Sequence, residues 1–244
     1  MSASLSQRLE GVRARMASAA RRAGRRPEEI TLVGITKGQP AARIAEAVAA
    51  GLAHVGENYL QEARAKLPEL RVLLEARGLA LPCLHFVGRL QRNKAREVAR
   101  DFAVVESVDR AELGAELEQC AAELGRELGV LLQVKLEAEA AKGGAAPAAV
   151  RELLARSLEW KHLRVAGLMA IPAPQPTPEA SRAGFARLRE LALALRKEPG
   201  GSALRELSMG MSADFEIAIE EGATRVRIGS AIFGPRPRGG GDPV

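Results

Sequence analysis

Short apolar runs alternate with stretches of helical periodicity along almost the whole chain. The runs fall at 30–36, 53–56, 84–88, 102–106, 130–135, 165–171, 206–209 and 225–228. Most are rich in Val, Ile and Leu with little polar alternation, as expected of parallel strands covered on both faces. Between them, apolar positions recur every three or four residues at 41–50, 58–67, 110–128, 148–158, 178–196 and 213–221, and residues 1–23 form an arginine-containing amphipathic pattern. Strand-helix alternation sustained over about 250 residues predicts a (β/α)8 TIM barrel, with a doubly wound sheet as the alternative. No linker interrupts the alternation, so residues 1–236 are expected to form one domain. The Pro- and Gly-rich stretch at 237–244 is expected to be a disordered tail.

Composition narrows the function classes. A chain of 244 residues can bury a full core. Its two cysteines, Cys83 and Cys120, have neither disulfide-framework nor metal-ligand spacing, so no metal is expected and a reducing cytoplasm is the predicted home. Residues 1–23 lack an apolar signal core and no later stretch is long enough to span a bilayer, so no membrane role is expected. The net charge of +6 concentrates at 21–26 and 89–96, while aromatic residues make up only 3% of the chain. Without stacking platforms, these clusters read as solvated faces that attract phosphorylated small molecules, and nucleic acid is an unlikely partner. A basic nucleic-acid-binding module remains a competing class, separable by a steep salt dependence of binding.

Lys37 closes the first apolar run. At the carboxyl end of a buried parallel strand it lies where such barrels place their sites. An ammonium partly removed from water tends to lose its proton and becomes a nucleophile suited to an aldehyde; the other reading is a lysine snorkelling into solvent. If the barrel closes, the first and eighth strands are neighbours, bringing Arg227, Gly229 and Ser230 beside Lys37. Backbone N–H groups at Gly229 and Ser230, with the Ser230 hydroxyl, suit a phosphate. Ser212, after the seventh run, is either a second phosphate ligand or a helix N-cap. A lysine and a phosphate cradle on adjacent strand ends match a phosphorylated aldehyde, pyridoxal 5′-phosphate.

LVGITK at 32–37, GENY at 56–59, HFVGRLQRNK at 85–94, GLM at 167–169, LSMGMSADF at 207–215 and VRIGSAIFG at 226–234 together resemble the pyridoxal phosphate homeostasis proteins. The resemblance covers roughly residues 5–236 and implies a barrel like the N-terminal domain of alanine racemases. It implies a protein that binds the cofactor as a Schiff base on Lys37, buffers it and delivers it within vitamin B6 homeostasis, with apo-enzymes as possible recipients and a monomer or weak dimer as the form in solution. Transferred by position, phosphate falls to Ser212, Gly229 and Ser230. Arg227 matches the arginine facing the pyridine nitrogen, a fixed cation that makes the cofactor a weaker electron sink; a phosphate or carboxylate clamp is the alternative.

Other positions have two readings. Asn58 either hydrogen-bonds ring substituents or caps a helix. Met169, Met209 and Met211 are candidates to pad the ring, with core packing expected for at least one of them; Met209 is kept among the cofactor-binding residues. His85 reads as a satisfied core or rim histidine, Glu57 as a partner for a nearby cation, and Asp214 as first-turn helix charge. Asn93 and Lys94 fit a solvated loop, and Lys94 and Lys142 are auxiliary candidates in cofactor transfer. Two positions depart from the family pattern, Gln39 where a second lysine is common and Leu84 where tryptophan is common. A racemase-like enzyme is the leading alternative, yet it needs a second acid-base group, and the one tyrosine, Tyr59, reads as helix packing.

Overall fold

A computed structural model describes residues 3–136, 143–173 and 175–235. Eight parallel strands close into a barrel in chain order. They are β1 (Thr31–Ile35), β2 (His54–Glu57), β3 (Cys83–Phe86), β4 (Val104–Val108), β5 (Leu128–Val134), β6 (Leu163–Ala170), β7 (Glu206–Ser208) and β8 (Arg225–Ile228). The helices are α1 (Leu5–Arg22) before the first strand, then α2 (Ala41–Ala49), α3 (Leu60–Glu75), α4 (Ala95–Asp101), α5 (Ala111–Glu123), α6 (Pro147–Arg156), α7 (Arg182–Leu195), α8 (Phe215–Glu220) and α9 (Ser230–Phe233). The TIM-barrel expectation holds and the doubly wound alternative falls. Lys142 and the 237–244 tail lie outside the described residues.

Closure is fixed by register. Val33 pairs with Arg227 and Gly34 with Ile228 across the β1–β8 seam, while Ile35 pairs with Gly56 on the other side. The segments that follow β1, β2 and β8 therefore emerge together. Helix α1 is an addition to the eight-fold repeat. Its stripe of Leu5, Leu9, Val12, Met16 and Ala19 is buried, a Ser4–Gln7 capping box starts it, and Arg15 pairs with Glu216 of α8 at 2.8 Å.

Three departures from the sequence pattern have identifiable reasons. Helix α3 runs through Pro68 to Glu75, because Leu67, Leu70 and Leu74 continue a buried stripe whose packing outweighs the lost hydrogen bond. The pattern at 110–128 merges a helix and a strand; Gly125, at φ +60°, ends the turn after α5 and releases the chain into β5. Helices α4 and α9 have seven and four residues, too few for a 3.6-residue period to register.

Candidate functional site

Lys37 follows β1 at the carboxyl end of the barrel and is half-buried. Its loop is tightly tied. Thr36 N donates to Gly56 O, Gly38 takes φ +72°, and Gly38 N donates to Glu62 Oε1 at 2.6 Å. A second lysine, Lys66 of α3, reaches under this loop: its Nζ donates to Thr36 O at 2.8 Å and lies 2.8 Å from both Glu57 Oε1 and Glu62 Oε1. Glu57 thus has the cation partner expected of it, and Thr36 Oγ1 also donates to it. Burial raises the Glu57 pKa against the opposing pull of Lys66 and Thr36. Gln39, the departure from the family pattern, is buried and its carbonyl accepts from Lys66.

The residue before α3 is Tyr59, which occupies its N-cap position, so Asn58 is not that helix's cap. Asn58 Oδ1 is buried and accepts no hydrogen bond from the described protein atoms. Next to it, Asn58, Tyr59, Phe86, Arg89, Lys94 and Arg110 line a cavity of about 660 Å³ with a cationic wall. Asn93 is exposed and Lys94 half-buried in a 3₁₀ turn, with Lys94 Nζ 3.8 Å from Glu97, as a solvated loop requires.

Strands seven and eight bring the expected phosphate residues together. Ser212 does not cap α8, whose N-cap is Asp214; instead Ser212 Oγ accepts from Ala231 N at 3.3 Å, which joins it to the Gly229–Ser230 turn. Asp214 occupies that N-cap position without a side-chain cap bond; its Oδ1 instead accepts from Met211 N at 2.7 Å and so shapes the loop. Gly210, at φ +89°, carries that loop past α8; a Cβ there would lie 2.5 Å from Ala218 Cβ. Gly229 packs on the end of β1, where a Cβ would lie 3.4 Å from Ile35 O. Met169 and Met209 are sealed in the core, while Met211 is exposed.

Arg227 is buried, and its guanidinium is fixed by Nη1 donating to Ser208 Oγ at 2.6 Å and Nη2 to Ala170 O at 2.9 Å. Burial lowers its pKa, with the Glu106 and Asp214 charges opposing. Below it the barrel interior is polar. Ser208 Oγ donates to Glu106 Oε2 at 2.6 Å, Arg225 Nη1 donates to Glu106 Oε1 at 3.1 Å, and His85 Nδ1 lies 2.8 Å from the same oxygen. Burial alone would raise the Glu106 pKa, but the His85 hydrogen bond and the Arg225, His85 and Arg227 charges hold it down to about 2. His85 Nε2 in turn lies 3.0 Å from His54 Nδ1, with Cys83 alongside. Hydrogen bonds with His54 and His85 pull the Cys83 thiol down to about 6. Burial lowers the His85 pKa, and its contacts with Cys83 and Glu106 outweigh that and raise it. His85 is the satisfied core histidine expected from sequence, although its sulfur neighbour was not.

The alanine racemase N-terminal domain family matches residues 8–237. A pyridoxal phosphate homeostasis protein of Pseudomonas aeruginosa is 46% identical over 237 residues, covering 96% of this chain and 97% of that protein. This chain belongs to the pyridoxal phosphate homeostasis protein family. The Escherichia coli protein of the same description is 41% identical over 238 residues, covering 95% of this chain and 97% of that one. Among solved structures, PipY of Synechococcus elongatus with pyridoxal phosphate bound is 37% identical, with a TM-score of 0.83, and the match covers 95% of this chain and all of that one.

Of the residues singled out from sequence, Lys37, Asn58, Ser212, Arg227, Gly229 and Ser230 lie at the carboxyl end of the barrel. Ser208, Glu106 and Lys66 were missed. Serine and glutamate in short strands resemble any other strand residues, and only the inward phase of β4 and β7, fixed by closure, distinguishes them.

Proposed function

We propose that this protein holds pyridoxal 5′-phosphate on Lys37 and buffers and delivers it in vitamin B6 homeostasis, without efficient turnover of amino acids. The observation that carries the reading is the convergence of the Lys37 loop, the unpartnered Asn58 Oδ1 and the joined Ser212 and Gly229–Ser230 segments at one end of the barrel, in a family whose member PipY is described with the cofactor bound. These residues fit a phosphorylated aldehyde. Lys37 Nζ supplies the amine, and forming the imine releases one water. Ser212, Ser230 and the Gly229 turn take the phosphate, Asn58 takes a ring substituent, and Met209 backs the site from the core. Arg227 would face the ring nitrogen; with two N–H groups committed to Ser208 and Ala170, it is a fixed cation rather than a mobile clamp. When bound, the cofactor supplies an electrophilic carbon and an electron sink, and a cation at the ring nitrogen weakens the sink.

No transmembrane segment is present among the helices of the described residues, none being long and apolar enough to cross a membrane. A cytoplasmic location, transfer to apo-enzymes and a monomer or weak dimer complete the reading. Absorbance before and after borohydride reduction, followed by peptide mapping, tests it: the adduct is expected on Lys37 and is lost in Lys37→Ala. An adduct mainly on Lys94 or Lys142 would overturn the assignment. A chiral assay separates carrier from racemase. Robust turnover that disappears in Tyr59→Phe would make Tyr59 a second base and the protein an enzyme.

A further inference from the structure

We propose that His54, Cys83 and His85 form a binding site for a divalent transition-metal ion of the zinc class, at the end of the barrel opposite Lys37. His54 is the first residue of β2 and Cys83 the first of β3, and the register pairs them directly. His85 lies two residues beyond Cys83 on the same face of β3, opposite Gly56, which offers no side chain to intervene. The ligand atoms of the three residues lie within 4.8 Å of one another, and His54 Nδ1 and His85 Nε2 are 3.0 Å apart.

That spacing suits a shared ion. Zinc–nitrogen and zinc–sulfur bonds of about 2.1 and 2.3 Å place tetrahedral donors about 3.4–3.7 Å apart. Side-chain rotations of His54 and Cys83, both half-buried, would bring the donors to that spacing. His85 needs no movement to aim Nε2 at the ion, and it binds through Nε2 once that nitrogen is unprotonated. Its Nδ1 faces the Glu106 carboxylate at 2.8 Å, which fixes Nδ1 as the protonated nitrogen and leaves Nε2 to ligate. This is the carboxylate–histidine arrangement that orients metal-bound imidazoles. Glu106 is itself held by Ser208 and Arg225, so the orientation is set from outside the cluster.

Two imidazoles and a thiolate are borderline-soft donors, which select zinc-class ions over magnesium or calcium. On binding, Cys83 gives its thiol proton to solvent, and the three protein ligands leave a fourth position for water. Access comes from the amino ends of the strands, where His54 also borders a cavity of about 350 Å³ between α1 and the start of β1.

The test uses the full-length, tag-free protein after chelator treatment, titrated with cobalt(II) as a spectroscopic substitute for zinc. One equivalent is expected to produce tetrahedral visible bands with a thiolate-to-cobalt charge-transfer band, and zinc is expected to abolish both. Cys83→Ser and Cys83→Ala should remove the charge-transfer band. His54→Ala should weaken zinc, measured against a chromophoric chelator, by tenfold or more. Because His54 and Cys83 begin their strands at the amino end of the barrel and neither is assigned to the cofactor, borohydride-fixed cofactor on Lys37 should be unchanged in all three variants, which also reports that they fold. Absence of the bands in the unmodified protein, their persistence in both Cys83 variants, or zinc affinity indifferent to His54→Ala would each overturn the proposal.

Discussion

Arg227 and Glu106 are joined by one hydroxyl: Arg227 Nη1 donates to Ser208 Oγ at 2.6 Å, and Ser208 Oγ donates to Glu106 Oε2 at 2.6 Å. The chain of contacts explains how a guanidinium survives inside a barrel. Its charge is balanced through a short relay, and its direction is set by β6 and β7. The same carboxylate also accepts from Arg225 and faces His85, so one buried anion organises three cationic or titratable side chains.

Glu106→Gln keeps the shape and removes that charge. It leaves Arg225 and Arg227 without their shared counter-ion, and loss of one partner from a buried ionic cluster costs about 3–5 kcal/mol. Urea denaturation is the measurement. A loss below about 1 kcal/mol would mean that the interior is wet enough to screen the cluster.

The same residue sets an acid limb. The folded pKa of Glu106, about 2, lies below the ordinary value of 4.5, so its contribution is complete above 4.5 and disappears as pH falls through 2. The linkage is worth about 3 kcal/mol. His85 acts in the opposite sense: its raised folded pKa contributes stability below 6.5 that is lost as pH rises through the folded value. Stability from this cluster should therefore be greatest between about pH 5 and 6. Denaturation midpoints across pH should fall below pH 4.5, and that limb should flatten in Glu106→Gln.

Lys66 is predicted to govern the Lys37 loop from beneath. Lys66→Met strands Glu57, which is buried and already raised in pKa, and removes the donor to Thr36 O and Gln39 O. Breaking a buried pair on one side typically costs about 3–5 kcal/mol. The double variant Lys66→Met with Glu57→Gln should recover part of that stability. Cofactor retention should stay reduced in both, because the loop remains untied. Full retention in Lys66→Met would separate the loop's position from this network.

Much of the barrel was legible because buried parallel strands are written as apolar runs and their helices as periodic stretches. Lys37 stood out since a lysine at the end of such a run is chemically exceptional. Pro68 misled because the rule against proline in helices is local, whereas the stripe through Leu70 and Leu74 is a tertiary fact. Glu106 and Ser208 were invisible for a related reason: which face of a short strand points inward depends on closure. His54 and Cys83 are 29 residues apart, and only the β2–β3 register makes them neighbours.

The phosphate cradle yields the last prediction. Ser212 Oγ already accepts from Ala231 N at 3.3 Å, so it is held facing the turn that carries Gly229 and Ser230 before any ligand arrives. Ser212→Ala removes both an acceptor for that backbone N–H and a donor for phosphate, while Ser230→Ala removes a single hydroxyl. Each should weaken pyridoxal 5′-phosphate by about 1 kcal/mol, roughly fivefold in Kd, since backbone donors remain. Ser212→Ala should be the more damaging of the two because it also loosens the turn. Pyridoxal, which lacks the phosphate, should bind much more weakly to the unmodified protein and respond little to either substitution. Fluorescence titration of both ligands against the three proteins decides it, and equal affinity for the two ligands would remove phosphate recognition from Ser212, Gly229 and Ser230.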